Sequence, residues 1–148
     1  MTTKTIPAVR YVVQVNQLLE RFVVFETVFF ECTQTCRNII LGRCTVGETL
    51  ATLDHYVDQN LTVLRAFVTQ VAAVQPPTAF VTINQQLITA LEHYVDATET
   101  MVHSFEGPSK EVYAQVLAAR HDQETQREQI NTVLHAISMV SFSTADMA

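Results

Sequence analysis

Charged side chains are scarce in this chain, 16% of 148 residues, where a globular protein carries about 25%. A helix that meets water on one side usually clothes that side in charge, and too little is present for four such faces. The shortfall points to surface buried against another subunit. Glycine and proline are scarcer still, at three and four residues. So few turn formers exclude an array of short strands and leave a handful of long elements. Lysine and arginine number nine against fifteen acids, the net charge is −6, and no basic run occurs. A nucleic-acid surface and an anionic-membrane surface both need clustered cations, so neither partner is expected. Three cysteines cannot pair without remainder, which favours a reducing compartment. Residues 1–5 lack the segments of an export signal, and the longest uncharged stretch, 66–91, is broken by Pro76 and Pro77. No membrane span is expected, and the chain is read as cytoplasmic.

What is present is helical periodicity. Nearly half the residues are hydrophobic, and they recur at steps of three and four. Leu50, Leu53, Val57, Leu61, Leu64, Val68 and Val71 form one such seam, and Phe80, Leu87, Leu91, Val95, Met101 or Val102, and Phe105 form another. Val112 and Val116, then Ile130, Leu134 and Ile137, supply a third. Turn chemistry divides the chain into helices of about 6–41, 46–74, 79–106 and 109–141. Thr5 and Pro7 suit the start of the first, and Gly42 suits its left-handed end. Thr45 with Glu48 reads as a capping box for the second, and Thr78 can cap the third. Pro108 opens the fourth. Connections this short force neighbours to run antiparallel, so the expected fold is all-α. It is an up-down-up-down four-helix bundle occupying 1–148 as one domain. A short echo links Leu53-Asp54-His55-Tyr56-Val57-Asp58 to Leu91-Glu92-His93-Tyr94-Val95-Asp96. Two copies do not make a repeat architecture.

Helix one is apolar nearly all round. Phe22, Val23, Val24 and Phe25 are consecutive, and Val28, Phe29 and Phe30 follow one turn on. A bundle helix needs one apolar stripe, so a second calls for a second partner. The interface expected there comprises Phe22, Val24, Phe25, Val28, Phe29 and Phe30. The competing reading is a helix packed centrally within its own monomer.

Helix four has the opposite character, with no large apolar side chain from Arg120 to Gln129. Continuing its seam places Arg120, Gln123 or Glu124, and Arg127 towards the interior. Antiparallel alignment brings Glu26 opposite about residue 123, with Asn60 near the same level. A central layer of Glu26, Asn60, Arg120, Glu124 and Arg127 would have to be paired and hydrogen-bonded. It reads as a ligand pocket, as a register device like the buried Asn of a coiled coil, or as a solvated face.

Cys32 and Cys36 share a face of helix one, Cys44 sits past its end, and His103 reaches the same end of the bundle. Three thiolates and an imidazole would suit tetrahedral zinc, but the spacing matches no standard pattern and buried packing is preferred. No metal or other cofactor is predicted. His55 and His93 point away from the core. His55 lacks the basic and small neighbours that follow the reactive histidine of phosphotransfer domains. The paired Glu-x-x-His of ferritin-like di-iron sites is absent, as are nucleotide-binding Gly loops and Ser-centred elbows. The expectation is a non-enzymatic interaction or assembly module that self-associates through helix one, with a dimer favoured. Another helical protein is the other partner considered. The alternative is a bundle that binds a small ligand or metal through the polar layer or the cysteine end.

Overall fold

The computed structural model describes residues 7–43 and 47–140. Four α-helices account for most of them: α1, Ala8–Ile40; α2, Leu50–Ala72; α3, Val81–Ser104; and α4, Ser109–Ser138. A 3-10 turn, Thr78–Phe80, leads into α3. At a rise of about 1.5 Å per residue, the 33 residues of α1 span about 50 Å.

The helix ends show how local chemistry sets the boundaries. Pro7 occupies the N-cap of α1, and the expected Thr5 cap lies outside the described residues. At the other end Gly42 adopts φ 69°, Arg43 N donates to Asn38 O at 2.7 Å, and Gly42 N donates to Ile39 O. These two bonds form a Schellman closure, the left-handed end that Gly42 was expected to make. Residues 44–46 lie outside the description, and with them Cys44 and the Thr45 cap. The start expected at 46 is corrected to Leu50: Gly47 stands at φ 94°, which no helix continues through. Thr49 takes the capping role instead. Thr52 N donates to Thr49 Oγ1 at 3.1 Å, and Thr49 N donates to Thr52 Oγ1 at 3.0 Å. Thr78 makes no capping bond, because the chain enters α3 through the 3-10 turn behind Pro77.

α1 packs on α2 and α4, and α3 packs on α2 and α4, with the closest packing between α3 and α4. The bundle is therefore all-α with neighbours in chain order around it. Cross-links mark the levels: Arg21 to Gln70, Arg65 to Glu99, Gln123 to Thr98, and Arg127 to Glu26. The α2 seam is buried from Leu53 to Val71, with Leu50 half-buried at its start. In α3, Tyr94 takes the fully buried place that the periodicity gave to Val95, which is half-buried.

Aromatic rings fill the middle of the core. Phe22 meets Tyr94 edge to face at 4.8 Å between centroids, and lies 6.3 Å from Phe67 in a stacked pair. Phe29 also approaches Tyr94, at 6.3 Å. Such pairs add about 0.5–1.5 kcal/mol each beyond the area they bury. Near the α1 N-terminus, Tyr11 packs on Phe80 and donates to Asn84 Oδ1 at 2.7 Å within the core. Among the described residues no helix is long and apolar enough to cross a membrane.

Candidate functional site: a buried polar layer and an uncovered helix face

At mid-bundle the apolar seam of α4 gives way to polar side chains that face inward. Gln123 is fully buried; its Nε2 donates to Thr98 Oγ1 at 2.8 Å, and its Oε1 accepts from Arg120 Nη1 at 3.1 Å. Arg120 Nη1 also donates to Tyr94 Oη at 3.3 Å. One turn further, Arg127 Nε lies 3.3 Å from Glu26 Oε1, and its guanidinium sits 5.6 Å over the Phe22 ring. Glu124 turns outward and approaches Arg120 Nε only to 3.7 Å. Of the expected layer, the fold brings together Glu26, Arg120, Arg127 and, at its rim, Glu124.

Asn60 is a correction. It stays on its own helix, donating to the Tyr56 carbonyl at 2.8 Å, because an amide four residues on reaches that oxygen without crossing the bundle. Thr98 and Tyr94 are members the sequence reading missed. Their signal was present: Tyr94 is seven residues past Leu87 and Thr98 seven past Leu91, so both continue the buried stripe.

Burial sets the electrostatics here. Desolvation raises the Glu26 carboxyl above its ordinary range, and Arg127 and Arg120 pull it back only in part. Desolvation also pushes the Tyr94 hydroxyl up to about 12, so it remains a neutral partner for Arg120 at any physiological pH. Two guanidinium atoms in the layer, Arg120 Nε and Arg127 Nη1, are buried without a hydrogen-bond acceptor.

On α1 the expected interface separates into two groups. Phe22 and Phe29 are fully buried, and Phe25 and Val28 are half-buried against the core. These four face the protein interior, since 22 and 29 lie two turns apart on the core stripe and 25 and 28 flank it. Val24 and Phe30 remain 64% and 52% exposed, joined by Val23 and Val13 at 46% and 47%. Seven of the twelve exposed large hydrophobics among the described residues lie on α1 or its C-cap, so the uncovered apolar surface belongs mainly to this helix.

Of the cysteine end, Cys44 lies outside the described residues, and Cys32, Cys36 and His103 do not converge. Cys32 and Cys36 are buried free thiols whose pKa values burial pushes up to about 12 and about 11. His103 points outward between Glu99 and Glu106, at 3.8 and 3.6 Å. Among the described residues no three His, Cys, Asp or Glu side chains group so as to hold a metal ion. A groove of about 1020 Å3 runs between α3 and α4, lined chiefly by glutamine and threonine, including Gln85, Gln86, Thr89, Gln126 and Gln129. No family model matches the chain, and neither a curated protein nor a solved structure shows significant similarity to it.

Proposed function

We propose that this protein is a non-enzymatic, cytoplasmic assembly module whose outer α1 face docks a second copy of the chain. The observation that carries the reading is the exposed stripe of Val13, Val23, Val24 and Phe30, left over after the same helix has buried Phe22 and Phe29. At 100° per residue these four side chains fall within an arc of about 120°, opposite the core stripe. Asn16, Glu20 and Thr27 interrupt the arc, which gives it the mixed character of an interface that forms between folded partners. The low charge fraction of the chain supports the same reading.

Sedimentation or native mass spectrometry across a concentration series tests it. The wild-type chain is expected to dimerise, and Val24→Asp combined with Phe30→Asp to weaken association at least about 100-fold. Losing two side-chain burials of about 1.5–3 kcal/mol each accounts for that factor. Both positions are exposed in the monomer, so helicity by circular dichroism should not change. A monomeric wild type at high concentration, or a double variant that dimerises as well as wild type, would overturn the proposal.

A further inference from the structure

We propose that charges on the outer α1 face select a second copy of the chain and hold it antiparallel, Arg10 against Glu31 of the partner subunit. The orientation rests on the docking reading above and adds to it the residues that choose the partner. At 100° per residue, Arg10, Glu20, Arg21 and Glu31 fall within one arc of about 100°, along the edge of the exposed stripe that carries Val13 and Val24. All four are exposed. Among the described residues the side chains of Arg10, Glu20 and Glu31 make no ion pair or hydrogen bond. Arg21 donates to Gln70 Oε1 of α2 at 3.2 Å and lies 5.2 Å over the Phe67 ring, which leaves other guanidinium donors unused.

Along this edge the charge runs positive, negative, positive, negative, and the series is its own complement when reversed about the point between Glu20 and Arg21. A twofold axis through that point sets the same edge of two α1 helices side by side and running opposite ways. Arg10 then comes level with Glu31 of the partner subunit, and Glu20 with Arg21 of the partner subunit. Arg10 and Glu31 stand about 32 Å apart along the helix, so the two symmetry-related ion pairs bracket Val13, Val24 and Phe30. Val13 comes to within about 3 Å of the level of Phe30 of the partner subunit, which keeps the apolar residues in the same register. A parallel pair would set each of the four charges against its own copy, and like charges at close range oppose association. A different helical protein would need a matching series of its own. A second copy already carries it.

Charge reversal on the full chain, read by sedimentation at low salt, tests the arrangement. Arg10→Glu and Glu31→Arg are each expected to raise the dimer Kd about tenfold, because either one turns two attractive pairs repulsive. The first makes the net charge more negative and the second less so, and general self-repulsion would therefore move them in opposite directions. The Arg10→Glu, Glu31→Arg double variant should return to within about threefold of wild type, and added salt should shrink the single-variant losses. In a parallel pair each single reversal exchanges one like-charge contact for another and leaves Kd unchanged. Both side chains are exposed, so helicity should hold throughout. Single variants that dimerise as tightly as wild type, while Val24→Asp with Phe30→Asp does not, would overturn the antiparallel arrangement and leave the interface standing. A double variant no tighter than either single would overturn the pairing of Arg10 with Glu31. A monomeric wild type would overturn the interface and the orientation together.

Discussion

Glu26 and Arg127 are each held where solvent reaches only part of the side chain, 18% for the acid and 26% for the base. Burial raises the Glu26 carboxyl from its ordinary 4.5 against the pull of both arginines. The folded state therefore binds this proton more tightly than the unfolded chain does. Its stabilising contribution is complete below the unfolded value and declines as pH rises through the folded one. Glu26→Gln, which carries no charge to desolvate, is expected to match the wild type near about pH 4 and to equal or exceed it near about pH 7. Arg127→Met removes the counter-charge instead and should cost about 1–3 kcal/mol at neutral pH, less than a fully buried pair would because water reaches both groups. Urea denaturation of the two variants at both pH values reads the difference. A Glu26→Gln loss of more than about 1 kcal/mol at neutral pH would mean that attraction outweighs desolvation. Gln123 makes the complementary point about legibility. The seam of α4 had to pass through residues 120–127, so an inward polar layer could be read. Whether Gln123 or Glu124 filled it depended on the phase of the helix, and the neutral side chain, cheaper to desolvate, went inside.

At the scale of elements, the stepping of apolar residues located α2, α3 and α4, because each buries one clear stripe. α1 was harder to read. Consecutive valines and phenylalanines point in every direction, and only the packing of Phe22 and Phe29 against Tyr94 shows which way is inward. The start of α2 was also misplaced, since Thr45 and Thr49 each offer a capping hydroxyl within one turn of chain. The left-handed Gly47 between them decides it. Thr49→Ala should consequently cost about 1 kcal/mol by loss of the reciprocal Thr52 bonds. Gly42→Ala should cost about as much, through φ 69° rather than through space, for no heavy atom lies within 4 Å of an added Cβ. Thermal unfolding of both variants, alongside Thr62→Ala as an exposed mid-helix control, checks these values. An undiminished Thr49→Ala protein would show that the cap contributes nothing to holding the helix start.

Across the whole molecule the packing is uneven. α3 and α4 make the closest contact in the bundle, while α1 and α2 meet less closely. Small side chains at Ala90 and Ala97, which line grooves together with α4 residues, fit that close approach. The looser side is also the side that holds Cys32, beneath a cleft it shares with Thr49, Leu53 and Tyr56 of α2. Opening of this side has a natural stopwatch. With pKa values near 12 and 11, the two thiols hold about 100- to 1000-fold less thiolate than free cysteine, besides being covered. Alkylation of Cys32 and Cys36 should thus be negligible in the closed bundle and proceed at the pace at which α1 parts from its neighbours. If dimerisation through the outer α1 face holds that helix down, dilution should speed the labelling, and the Val24→Asp, Phe30→Asp protein should already label fast at every concentration. Peptide-resolved mass spectrometry of Cys32 and Cys36 alkylation against time would then clock the seam from inside.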